Sequence, residues 1–209
     1  MKKGFTLLEM LVVIGIIAIL LGAMTFGYSK IVRSSRKAKT QELVSNAAVA
    51  LTHLCQKNEG VWPKDIKNAA EGDGLLDAEA CRPLARKGFL NLDYNQDAIR
   101  NNSGAQVVLK GADRFGLVDP ETAKFLATHK DATLSTKIST GGTVKDHILH
   151  FAIDTEGSGF VTLKNLDGAG GRRVRATAVV WAAGADGKVD YASRSHNDDV
   201  YSWRPAQEK

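Results

Sequence analysis

Apolar residues are concentrated at the start of the chain rather than spread evenly along it. Residues 5–26 read FTLLEMLVVIGIIAILLGAMTF and contain a single charged side chain, Glu9. A helix of this length extends about 33 Å, enough to cross the hydrocarbon core of a bilayer. The pattern therefore predicts an apolar helix that can serve as a membrane anchor.

The helical pattern continues beyond this apolar run. Between residues 28 and 57, apolar side chains recur at spacings of three and four, and neither Pro nor Gly interrupts them. Gly60 and Pro63 then provide a stop signal. We predict one helix over residues 5–57, apolar on all sides in its first half and amphipathic in its second.

The remaining residues, 58–209, predict a globular head. Short helices are expected over 78–87 and 120–129, the second with Pro120 at its start. Period-two and continuously apolar runs predict strands, with a hairpin-like loop at 154–158 between the first two of them. The predicted strands are 147–153, 159–163 and 173–182. The fold class is therefore α+β, a long N-terminal helix packed on a small antiparallel β-sheet.

Composition narrows the function classes. The chain has 209 residues, 44% of them hydrophobic, with a formal net charge of +5. That length excludes a large multidomain machine, and the 2 cysteines are too few for a disulfide framework or a four-thiolate zinc site. The mean hydropathy of −0.17 averages the apolar N-terminus with a polar head.

Three interpretations of the N-terminus compete. A cleaved signal peptide explains the basic Lys2 and Lys3, but its apolar region normally spans about 7–15 residues and ends in a small-residue cleavage site. A simple membrane anchor leaves Glu9 unexplained, because a carboxylate in lipid costs a few kcal/mol and marks a functional position.

The third interpretation accounts for Glu9. The segment Met1-Lys-Lys-Gly4 followed by Phe5-Thr-Leu-Leu-Glu9 resembles the class III signal of type IV pilins and type II secretion pseudopilins. The resemblance implies that a prepilin peptidase removes residues 1–4 by cutting after Gly4, and that Phe5 is then N-methylated. Glu9 would pair with the terminal amine of Phe5, in its own or the adjoining subunit, since a buried carboxylate is tolerated when paired.

The C-terminal block resembles one branch of that family. Gly184-Ala-Asp-Gly-Lys188, with Asp198-Asp-Val-Tyr-Ser-Trp203 after it, is similar to the end of G-type major pseudopilins, and Asn58–Pro63 is similar to the element that follows their long helix. The middle departs from the pattern, because the family's Asp-Pro-Trp-Gly element is replaced by the loosely similar 113–116. The resemblance implies a pilin-like fold and a structural protein rather than an enzyme.

In those pseudopilins the last loop binds Ca²⁺, which prefers oxygen ligands. The resemblance implies a structural calcium site here, with Asp186 and one of Asp198 and Asp199 as ligands. Asp190 and Asn197 are weaker candidates. The alternative is that Asp186-Gly is a simple turn and Asp198-Asp a solvated segment.

Cys55 and Cys81 are the only cysteines. Outside the cytoplasm such a pair is commonly a disulfide, and we predict that bond, which would tie the end of the long helix to the following loop. Two free buried thiols are the alternative in a reducing compartment.

Enzymatic motifs are missing from the sequence. His147 and His150 are three apart in a predicted strand and so should face opposite sides. No nucleophile motif or P-loop accompanies them.

The charge of the chain raises the question of nucleic acid. Arg173 and Arg175 share one face of a predicted strand and could follow phosphates. Cleavage after Gly4 would lower the net charge of the mature chain, and basic side chains on exposed strands are commonly just solvated. We therefore do not expect nucleic acid as a partner.

The resemblance implies a single-pass protein of the bacterial inner membrane with a periplasmic head. It would then enter a homo-oligomeric helical filament, periplasmic or extracellular, through contacts with the bilayer, prepilin peptidase, other pseudopilins and inner-membrane assembly proteins. A type II secretion pseudopilus subunit is the first hypothesis. A type IV pilus subunit and a membrane-anchored extracytoplasmic protein that binds DNA or a ligand remain open.

Overall fold

The computed structural model describes residues 7–89, 115–139, 141–164, 166, 171–184, 186–189, 191 and 199–203, except the side chains at 23–27, 29 and 30. The chain divides into two compact units, Met1–Ala38 and Lys39–Lys209. The predicted α+β class, an N-terminal helix with a small antiparallel sheet, is confirmed.

Helix α1 covers Leu7–Lys57. In the first unit its large apolar side chains are exposed, with Leu7 at 83% and Ile19 at 73%. Among the residues described, no helix has the length and apolarity needed to cross a membrane. The membrane anchor predicted over 5–26 is therefore not confirmed here and returns below as a proposal.

The end of α1 follows the predicted stop signal. Glu59 and Gly60 take positive φ angles of 55° and 84°, and the Gly60 amide donates to the Cys55 carbonyl at 2.9 Å. A left-handed Gly is the common way to close a helix. Pro63 then leads into helix α2, Lys64–Glu71, for which the sequence analysis predicts no element.

Two further helices confirm their predictions and begin at aspartate caps. Helix α3 covers Ala78–Arg86, and the Asp77 carboxylate accepts a hydrogen bond from the Ala80 amide at 2.8 Å. Helix α4 covers Pro120–Thr128, and the Asp119 carboxylate accepts from the Glu121 and Thr122 amides. Each cap satisfies amides that have no partner within the helix.

The strands differ in part from the prediction. Strand β1 (His150–Ile153) starts later than expected, because Lys145–His147 form a 3₁₀ turn. It pairs antiparallel with β4 (Ala178–Ala182), which pairs with β5 (Val200–Tyr201).

A second antiparallel pair consists of β2 (Phe160–Thr162) and β3 (Arg173–Arg175). The single strand predicted over 173–182 is therefore two strands with different partners. The loop at 154–158 connects β1 to β2 but does not form a hairpin between them. The Asp154 carboxylate holds that loop by accepting from the Glu156 and Gly159 amides.

In the second unit, α1 packs on one face of the sheet. The α1 side chains there are buried at helical spacing and contact alternate strand residues. The contacting set includes Val44, Ala47, Leu51, Leu54, Phe151, Ile153 and Val180. The other sheet face, with Val179 and Trp181, packs on Val161 and Leu163 near the β2–β3 pair. The amphipathic second half of the helix is thus confirmed.

Candidate functional site

The N-terminal site is described from Leu7 onward, so Gly4 and Phe5 lie outside the described residues. Glu9 lies in the first described turn of α1, where a carboxylate interacts favourably with the helix dipole. Around it the side chains of Leu7, Leu8 and Leu11 are 83%, 73% and 59% exposed. An apolar surface of this extent on an isolated chain marks a place where another apolar surface or a lipid phase binds.

The predicted calcium loop is described only in part. Asp186 is exposed and its Oδ1 accepts the Lys188 amide at 2.9 Å. Asp199 is only 4% exposed and already accepts two bonds, from the Gly184 amide at 2.9 Å and the Tyr201 hydroxyl at 2.8 Å. Asp199 therefore fastens the end of β4 to β5, a role that the sequence did not indicate.

The other proposed ligands, Asp190, Asn197 and Asp198, lie outside the described residues. Within the part of the chain that is described, no group of three or more His, Cys, Asp or Glu is placed to hold a metal ion. The calcium site stays a prediction.

The comparison with protein families finds a match at the N-terminus. Residues 1–25 match the family described as the prokaryotic N-terminal methylation motif. The chain carries a prepilin-type methylation motif. The match covers Gly4, Phe5 and Glu9 and supports a type IV pilin-like prepilin, a class of structural rather than enzymatic proteins. Comparisons with curated proteins and with solved structures gave no match.

The methylation motif ends within α1 and gives no information about the head. The chemistry of the head follows from its own contacts. Cys55 and Cys81 are both buried thiols, and the Cys81 thiol donates to the Leu76 carbonyl at 3.3 Å. Burial, with the charge of Asp154 nearby, raises the pKa of the Cys55 thiol. The predicted disulfide is not formed in this structure, and the pairing stays a prediction.

His147 is the centre of a buried polar cluster in the head. Its Nδ1 lies 3.0 Å from Asp119 Oδ2 and its Nε2 lies 2.8 Å from the Gly141 carbonyl oxygen. The prediction that His147 lies in a strand was wrong, since it ends the 3₁₀ turn. No local sequence signal links it to Asp119, which is 28 residues away.

This cluster also supports the C-terminal loop. A Cβ atom at Gly187 would lie 2.9 Å from His147 Nε2, and one at Gly141 would lie 2.9 Å from the Asp186 carbonyl oxygen. Both glycines have positive φ, so side chains are disfavoured by conformation as well as by contact. The segment bearing Asp186 is thus packed directly on the His147 cluster.

Arg173 and Arg175 share one face of β3, as predicted, and both are exposed. The Arg173 guanidinium lies 4.7 Å from the ring centre of Phe160 on the neighbouring strand. This cation–π contact fixes one of the two charges at a defined position on the surface.

Proposed function

We propose that the chain is a structural subunit of a type II secretion pseudopilus, assembled from the inner membrane through its N-terminal helix to drive protein secretion. The observation that carries the proposal is the methylation motif at residues 1–25. The secretion subtype is supported by the resemblance of 184–203 to G-type major pseudopilins. A type IV pilus subunit would share the N-terminal chemistry. Secretion must therefore be measured separately from filament formation.

The proposed mechanism starts with cleavage after Gly4, which creates a new ammonium group at Phe5. Glu9 then lies about one helical turn along the same face. Pairing with the amine of an adjoining subunit would set the axial register between neighbours, because a carboxylate in an apolar environment is stable only when compensated.

The exposed apolar side chains of α1 would keep the helix out of water, first in lipid and then among neighbouring helices, where side-chain packing favours association. Moving a Leu or Ile side chain out of water is favourable by roughly 1.5–3 kcal/mol. Lipid covers these side chains before the neighbouring helices do. Their exposure, 83% at Leu7 and 62% at Ile14, is therefore consistent with a helix that is always covered in the cell.

The test compares two glutamates of the same helix. Glu9→Ala should leave membrane insertion intact but block filament formation and secretion, because the partner amine then has no counter-charge. Glu42→Ala, at an exposed position in the head portion of α1, is the matched control and should behave as wild type. Normal filaments and secretion from Glu9→Ala would contradict the proposal. Loss of filaments in Glu9→Ala with secretion at the wild-type level would favour the pilus.

A further inference from the structure

An exposed basic face lies on the β2–β3 pair. Phe160 is opposite Arg175 and Thr162 is opposite Arg173, while the Val161–Val174 pair between them turns toward the second core cluster. All four residues are exposed, Phe160 at 40%. Lys164 continues the same alternation beyond the strand and is also exposed. We call these five residues the basic face.

An acidic groove lies on the same head, lined by α2, α3 and neighbouring loops. It encloses a volume of about 580 Å³. Its described charged side chains are Asp65, Asp73, Asp77, Glu79 and Lys145. Lys145 forms an exposed ion pair with Asp73 at 2.8 Å, and the apolar Leu75 and Ile148 also line the groove. The groove therefore combines an excess of carboxylates with apolar side chains.

Helical spacing explains why the groove stays acidic. Asp65, Asn68 and Ala69 of α2 line it, whereas Lys64 and Lys67 do not. Asp77 is committed to capping α3 through the Ala80 amide. Asp65 and Glu79 are the carboxylates with neither a capping bond nor an ion pair among the contacts described, so they are best placed to receive a cation.

We propose that the basic face of one copy docks into the acidic groove of the next copy of this chain. The inference rests on the proposed function, since it names the contact between heads in the filament. Opposite charges favour this pairing and select its orientation. Phe160 and the arginines are residue types enriched at the centres of interfaces. Leu134, which also lines the groove and is 43% exposed, gives Phe160 an apolar side chain to pack on.

The two surfaces are different patches of one molecule, so the contact is heterologous. Repeating a heterologous contact builds an open helical array rather than a closed dimer. This is the symmetry that a filament of identical subunits needs. An anionic lipid surface or a nucleic acid would engage the basic face without using the groove, and the experiment separates these partners.

The test uses charge reversal in the full-length chain, expressed in its host. One variant carries Arg173→Glu and Arg175→Glu, a second carries Asp65→Lys and Glu79→Lys, and a third carries all four changes. A control of equal charge change, Lys124→Glu with Lys137→Glu, alters exposed lysines outside both surfaces. Circular dichroism melts verify folding, and the neutral pair Arg173→Gln with Arg175→Gln replaces the first variant if its melting temperature falls.

Filament yield is the first readout. Each two-residue reversal should lower it about tenfold, because like charges then face each other across the contact. The fourfold variant should recover to within about twofold of wild type, since the charges are again complementary. The control should match wild type.

Crosslinking of mixed isotope-labelled subunits is the second readout. A zero-length carbodiimide should join Lys164 of one copy to Asp65, Asp73 or Glu79 of another. Reversals that leave filament yield unchanged, or a fourfold variant that stays defective, would overturn the docking contact. If only the basic-face variant is defective, a lipid or nucleic acid partner replaces the second copy. If wild type forms no Glu9-dependent filaments, the proposed function fails as well.

Discussion

The imidazole of His147 lies 3.0 Å from the carboxylate of Asp119 inside the head. Its other ring nitrogen faces the Gly141 carbonyl oxygen at 2.8 Å. A carbonyl and an ionised carboxylate only accept hydrogen bonds, so both ring nitrogens must donate. Only the protonated imidazolium can do so, and the head therefore contains a buried charge pair.

The pKa directions agree with this assignment. Burial alone would lower the pKa of His147, but the hydrogen bonds to Asp119 and Gly141 outweigh it and raise that pKa. Burial would raise the pKa of Asp119, yet hydrogen bonds from His147 and Thr122 lower it instead. Both shifts favour the charged forms together.

We predict that this pair makes the stability of the head depend on pH in both directions. The contribution of His147 is complete below its unfolded pKa of about 6.5 and is lost as pH rises through the raised folded pKa. The contribution of Asp119 is complete above its unfolded pKa of about 3.9 and is lost as pH falls through the lowered folded pKa. Urea unfolding at a series of pH values measures both limbs.

Asp119→Asn provides the comparison, since the amide oxygen can still cap α4 while the charge is removed. This variant should lower the free energy of unfolding by about 1–3 kcal/mol at pH 6. It should also reduce the loss of stability that wild type shows as pH rises. An NMR titration that places the pKa of His147 below 6.5, or an unchanged alkaline limb in this variant, would contradict the charge pair.

His150 is predicted to behave in the opposite sense. Its burial lowers its pKa to about 4, and its ring stacks on Trp181 with centroids 5.6 Å apart. Stability should therefore fall as pH drops from about 6.5 toward 4, by up to roughly 3 kcal/mol. His150→Phe, which cannot be protonated, should remove this dependence. A variant that is as acid-sensitive as wild type would show that other groups cause it.

Local signals account for the parts of the fold that the sequence predicted. Gly60 closed α1 where expected, and Pro120 marked the start of α4. The sequence did not predict the strand partners. Arg173–Arg175 and Ala178–Ala182 are close in sequence but pair with different strands. Pairing is decided by tertiary contacts, which local periodicity does not encode.

Some residues of the candidate sites could likewise be predicted from the sequence, and others could not. Gly4, Phe5 and Glu9 belong to a contiguous motif, which single-sequence reasoning can find. The His147–Asp119 pair joins residues 28 positions apart. The sequence indicates Asp199 as a metal ligand or a solvated residue, whereas it is a buried hydrogen-bond acceptor. Its buried bonds to Gly184 and Tyr201 depend on how β4 and β5 meet.

Calcium binding gives a separate prediction. If the loop containing Asp186 binds Ca²⁺, thermal melting of the full chain in detergent should shift upward with Ca²⁺ and back after chelation, because a ligand that binds only the folded state stabilises it. Asp186→Asn should abolish the shift while leaving the metal-free melting temperature close to that of wild type, since its exposed carboxylate is bonded to Lys188 alone in the structure described. Identical melts with and without chelator would count against the site.

Processing of the N-terminus decides whether the chain can become a filament subunit. Intact-mass spectrometry of the protein purified from the cell envelope tests it directly. We predict a mature chain that lacks residues 1–4, begins at Phe5 and carries one additional methyl group on its terminal amine. A mature envelope protein that retains Met1 through Gly4 would contradict the proposed filament subunit.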